Sequence, residues 1–157
     1  MEYTSINRDL VLEFFLVLSR MEFALKLAGY ANGDEKSVSP DWDGFARDIS
    51  EAFDSETDQQ VAVAFNYYLG HPPHKQVLNN GVLDWKLAFP ENGSEVAKAL
   101  LLVRRVRNNL FHGGKYNAQA HEETARNEEL LSMGITLLRE AMRVSPEVQQ
   151  AYEGAAI

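Results

Sequence analysis

"VAKALLLVRRVRNNLFHGGK", Val96 to Lys115, is the stretch on which the reading of this chain turns. Val96, Ala99, Leu100, Val103, Val106 and Leu110 gather into one apolar stripe at roughly 100° per residue, so the segment predicts a core-facing helix. Gly113-Gly114 ends it. The same helix carries Arg104, Arg105 and Arg107, then Asn108, Asn109 and His112. Arg107 falls inside the apolar stripe, whereas Arg105, Asn108 and His112 fall on the other side. Asn108 and His112 are i,i+4 neighbours and can touch.

Helical spacing continues in both directions. Arg8 to Leu27 reads as a first helix whose early turns, "LVLEFFLVL", leave almost no polar face. A helix of that kind is a buried central helix or an oligomer interface. Glu22 and Lys26 are placed to pair on its wetter second half, and Gly29 stops it. "YANGDEKSVSPD" reads as a loop. "DWDGFARDISEAF" predicts a second helix and "VAVAFNYYL" a third, with Asp54 or Ser55 as the N-cap between them. Asn80-Gly81 sits between short apolar runs and signals a small hairpin. Asn92 or Ser94 caps the helix that contains Arg107. A long helix starts near Gln119 with a stripe of Leu131, Ile135, Leu138 and Met142, and Ser145-Pro146 opens a short terminal one. The expectation is a single all-α domain over residues 1–157, a bundle of about five helices with one hairpin or loop excursion.

Composition narrows the function. There is no cysteine, which excludes disulfides and thiolate metal sites. No secretory signal opens the chain, and Glu13 interrupts its most apolar run, so a soluble cytoplasmic protein with no membrane partner is expected. Net charge is -8, from 15 basic against 23 acidic residues, which argues against a general nucleic-acid binder. The charge is unevenly spread. Val96 to Ala120 holds no acid but carries Lys98, Arg104, Arg105, Arg107 and Lys115, a local anion site in an acidic body.

Arg107 and His112 carry the chemistry. A guanidinium inside an apolar stripe demands a carboxylate, several carbonyls or a bound anion. Glu13 or Glu22 of the first helix would serve as an ion-pair partner, and both are candidates for supporting the site; a stem lying along the core edge is a further option. Histidine at a helix end caps carbonyls in many proteins, but its ordinary pKa also suits proton transfer. His71 and His74 flank a Pro-Pro turn without supporting carboxylates and read as loop residues, so no metal is expected. Trp42, Phe45, Phe53, Phe65 and Trp85 read as core, as does one of Tyr67 and Tyr68.

The run Arg107-Asn108-Asn109-Leu110-Phe111-His112 resembles the signature of the HEPN superfamily (higher eukaryotes and prokaryotes nucleotide-binding): an arginine, a polar residue, and a histidine after four to six intervening positions, here four. Ser19 to Tyr30, Asp41 to Ala46 and the long last helix are similar to small stand-alone bacterial HEPN proteins. The resemblance implies a homodimer whose two motifs make one composite site. It also implies a metal-independent, cofactor-free endoribonuclease in a toxin–antitoxin or anti-phage defence system, with RNA and a cognate antitoxin or other regulatory protein as partners.

In that reading Arg107, Asn108 and His112 are catalytic, while Arg104, Arg105 and Lys115 hold flanking RNA phosphates. A dimer also answers a geometric difficulty: Arg107 and His112, five apart, point roughly 140° apart on one straight helix. Two alternatives stand beside it. One is a non-catalytic nucleotide- or protein-binding module; the other is a plain structural dimer with Arg107 paired to Glu13.

Overall fold

Asn7 opens the first helix. Its side-chain oxygen accepts from the Leu10 amide at 3.2 Å, satisfying one of the donors that a helix start leaves free. In this computed structural model, which describes residues 6–111 and 120–154 (side chains of 120–125 excepted), helix α1 then spans Arg8–Leu27. The other described elements follow as β1 (Ala31–Gly33), β2 (Val38–Pro40), α2 (Trp42–Ile49), α3 (Gln59–Gly70), β3 (Lys75–Asn79), β4 (Val82–Lys86), α4 (Glu95–Phe111), α5 (Ala120–Arg143) and α6 (Pro146–Gly154).

The fold is mixed α+β, which corrects the all-α expectation. Two separate antiparallel hairpins accompany the helices. The β3–β4 hairpin lies where Asn80-Gly81 predicted one: both residues have positive φ, 49° and 78°, and Leu78 faces Leu83 across the ladder. The β1–β2 hairpin lies in the segment read as a loop. Its strands, Ala-Asn-Gly and Val-Ser-Pro, lack the alternating β-branched pattern that marks a strand. Side-chain and backbone geometry closes it instead. Asp34 Oδ1 accepts from the amides of Lys36 and Ser37 at 2.8 and 3.3 Å, and the Asp41 amide donates to the Tyr30 carbonyl at 3.0 Å. Gly33 has φ +142°, and a Cβ there would stand 2.1 Å from the Ser37 carbonyl oxygen, so only glycine fits.

The core lies where α1, α3, α4 and α5 converge, with Val148 of α6 closing one side. Phe14, Leu18, Met21 and Leu25 of α1 share one buried cluster with Leu131, Leu138 and Met142 of α5, and with Leu100 and Val103 of α4. Tyr68 of α3 is fully buried, and its hydroxyl donates to the Leu130 carbonyl at 2.5 Å, so the one polar atom of a large apolar side chain is satisfied. Gly134 of α5 lets the helices approach: a Cβ there would lie 2.8 Å from the Tyr68 hydroxyl and 3.0 Å from the Phe14 ring.

Local details depart from the sequence expectations. Asp58, not Asp54 or Ser55, caps α3, accepting from the Gln60 and Val61 amides at 2.7 and 3.3 Å; Asp54 instead accepts from Glu56 within the preceding turn. Ser94 rather than Asn92 caps α4 by accepting from Ala97 at 3.2 Å. Helix α2 ends at Ile49, four residues short of Phe53. Helix α1 is not covered all round: Leu12, Phe15, Leu16, Phe23 and Leu27 stay exposed along one side. Glu22 does not pair with Lys26 either, because Trp42 and Arg107 take its two oxygens.

Candidate functional site

Helix α4 presents three kinds of face. Val96, Ala99, Leu100, Val103 and Val106 are buried, as the apolar spacing requires. Arg107 lies between that stripe and α1, where its Nη1 donates to Glu22 Oε1 in a very short hydrogen bond, while its Nε donates to Asn108 Oδ1 at 3.3 Å. Asn108 is exposed, whereas Arg104 and Arg105 are half-buried.

Glu22 is the centre of a small network. Its second oxygen accepts from the Trp42 indole N–H at 3.0 Å. The Arg104 guanidinium lies 5.0 Å above the Trp42 ring and its Nε donates to the Leu100 carbonyl at 3.3 Å. Burial lowers the Arg104 pKa, and the Arg107 charge pushes the same way; Asp43 and Glu22 oppose them. The guanidinium remains charged, since its ordinary pKa starts so far above neutrality. Of the two acids proposed to support the site, only Glu22 reaches it. Glu13 pairs with Arg139 at 3.3 Å on the exposed side of α1, which rules out the Arg107–Glu13 pairing within this chain.

Arg105 takes a different part. Its Nη1 donates to the carbonyls of Pro73 and Ala88 at 3.0 and 2.6 Å, and burial lowers its pKa. Asn109, which is buried, donates to the His74 carbonyl at 2.8 Å. Arg126 of α5 donates to the carbonyls of His71 and Pro72 at 3.1 Å. Three side chains therefore clamp the backbone from 71 to 74 and fix the base of the β3–β4 hairpin against α4. The His71 ring stacks on Tyr67 with centroids 5.1 Å apart.

The clamped hairpin and α4 enclose a cleft of about 390 Å³, lined by Lys75, Gln76, Leu101, Arg104, Arg105, Arg107, Asn108 and Asn109. Four of these side chains are cationic and none is a carboxylate. Three of the remaining four are amides that can donate or accept. Glu22, which accepts from Arg107, is not among the lining residues. Such a lining suits a multiply charged anion whose oxygens can each meet a donor. Among the described residues, no group of three or more His, Asp or Glu converges as a metal site.

Arg107, Asn108, Arg104 and Arg105 thus share one cleft, with Glu22 supporting it through Arg107. His112 and Lys115 lie outside the described residues. Helix α4 reaches Phe111, whose ring meets Phe15 edge-on at 5.4 Å. Sequence reading missed Lys75, Gln76, Asn109 and the role of Trp42. Lys75 and Gln76 follow the Pro-Pro turn, and only the carbonyl clamp brings them to α4. Trp42 was read as core, and its burial agrees; nothing in its local pattern signals a carboxylate twenty residues away. No described helix is long and apolar enough to cross a membrane. No family model matches this chain, and neither a curated protein nor a solved structure matches it.

Proposed function

We propose that this chain is a metal-independent endoribonuclease of the HEPN kind, acting as a homodimer. The observation that supports the reading best is the carboxylate-free basic cleft at Arg107-Asn108, whose asparagine precedes His112 by four positions in the chain. In the proposed reaction, His112 withdraws the proton of a ribose 2′-hydroxyl, whose oxygen attacks the adjacent phosphorus. The bond to the 5′-oxygen breaks, and that oxygen takes a proton from a histidine, the same His112 or the one of a second copy. Arg107 stabilises the charge that builds on the phosphoryl oxygens, and Asn108 orients either the phosphate or the guanidinium. Products carry a 2′,3′-cyclic phosphate and a 5′-hydroxyl, and DNA, which lacks the nucleophile, is not cut. Arg107 has five N–H donors and commits two nitrogens to Glu22 and Asn108, so donors remain for an anion.

The test is cleavage of RNA in EDTA. The parent protein cuts, and Arg107→Ala and His112→Ala each lose about a hundredfold or more. Full activity in either variant refutes the assignment. A second reading, a non-catalytic nucleotide- or RNA-binding module, is favoured by the tight Arg107–Glu22 pairing, which holds the arginine for structure as well as for a ligand. It predicts RNA binding without cleavage, weakened by Arg107→Ala.

A further inference from the structure

Arg104 and Arg107 stand one turn apart on α4, where side chains three apart have Cβ atoms about 5–6 Å from each other. Two guanidiniums at that spacing repel, and free side chains would splay apart. Both are held, and both through one residue. Trp42 occupies the first turn of α2, whose N-cap Asp41 accepts from the Gly44 amide at 3.0 Å, and its ring is buried against Phe45. The ring is therefore fixed. Its flat face carries the Arg104 guanidinium at 5.0 Å, a geometry that attracts a cation. Its single donor, the indole N–H, occupies one oxygen of Glu22 and leaves the other for Arg107.

We infer that Trp42 is the positioning residue of the cleft, setting Arg104 by its face and Arg107 by its edge through Glu22, so that the pair meets one strand of RNA backbone already arranged. This rests on the reading of the cleft as an RNA phosphate site. Arranging two cations in advance means that an entering phosphodiester removes their repulsion without having to order their side chains, which strengthens its electrostatic stabilisation. Arginine suits both positions better than lysine: its flat guanidinium lies along the ring, and its planar fork can meet Glu22 and a phosphate together.

Trp42 can report its own role, because the only other tryptophan is Trp85. In a Trp85→Phe background, the protein is titrated with a short 2′-O-methyl oligoribonucleotide, which binds but cannot be cleaved. Trp42 emission changes on saturation, and Arg104→Met abolishes that change while weakening binding. Binding with unchanged emission overturns the role of Trp42 and leaves the nuclease reading intact. An emission change without cleavage of ordinary RNA supports the positioning role and overturns the nuclease. Absence of binding overturns both.

Kinetics supply a second readout. Trp42→Phe keeps the face and removes the donor, so kcat falls about tenfold with KM nearly unchanged. Trp42→Leu removes both and raises KM as well. Glu22→Gln, which leaves the α2 packing intact, lowers kcat in the same manner as Trp42→Phe. Parental kcat and KM in Trp42→Phe and Glu22→Gln would overturn the inference.

Discussion

Removing Glu22 and Arg107 separately and together measures the link on which the cleft depends. The Arg107 side chain is 26% exposed and that of Glu22 21%, so the pair sits between two regimes. Exposed pairs couple by about 0.2–1 kcal/mol, whereas breaking a fully buried one costs about 3–5 kcal/mol. With roughly a quarter of each side chain in solvent, a coupling of about 1.5 kcal/mol is expected. Glu22→Leu also strands the buried Trp42 N–H, adding about 1–3 kcal/mol to its single cost. That term is present in the double variant too, so it cancels from the cycle. Urea unfolding of the parent, Glu22→Leu, Arg107→Met and the double variant gives the four stabilities. A parallel cycle with Glu13→Gln should give a coupling near zero, because Glu13 faces Arg139 instead. A Glu22–Arg107 coupling below about 0.3 kcal/mol, or a larger one for Glu13, would refute the network as described.

Other perturbations test the frame around the cleft. Gly134→Ala drives a methyl group against the Tyr68 hydroxyl and the Phe14 ring, and thermal or urea unfolding should show a loss of about 1–3 kcal/mol. Arg105→Ala frees the carbonyls of Pro73 and Ala88; limited proteolysis should then cut within 71–89 faster than in the parent, while α1 and α5 stay protected. The Tyr30 pKa is pushed up to about 12, first by burial and then by its hydrogen bond to Asp48. Below pH 10 both folded and unfolded chains keep the proton; between about 10 and 12 the unfolded chain loses it first, so stability falls as pH rises. Tyr30→Phe should flatten that part of the stability profile.

How much could be read without coordinates depended on whether the forces were local. The helix from about Arg8 to Leu27 was legible because its apolar spacing is continuous and Gly29 stops it; the Asn7 cap was not read from the sequence. Asn80-Gly81 was legible as well, since the turn needs positive φ at both positions. The β1–β2 hairpin was not, because its pairing depends on Asp34 and a steric demand at Gly33 rather than on strand propensity. Glu22 shows the limit most clearly. Local spacing offered it Lys26, but Trp42 and Arg107, 20 and 85 positions away, bind it instead. Arg107 inside an apolar stripe did announce that a carboxylate or anion was near. Which acid supplied it was a matter of helix packing, and the spacing of α4 alone left Glu13 and Glu22 equal.

The end chemistry of the cleaved RNA bears most directly on the proposed function. An oligoribonucleotide and the same oligomer with 2′-deoxyribose at the cleaved position are incubated with the protein in EDTA, and the products are weighed by mass spectrometry. The mechanism proposed for Arg107, Asn108 and His112 requires a 2′,3′-cyclic phosphate from the first and no cut in the second, with the cyclic-phosphate product lost in Arg107→Ala. A 3′-hydroxyl product, a cut at the deoxy position, or intact RNA with the parent protein would contradict it.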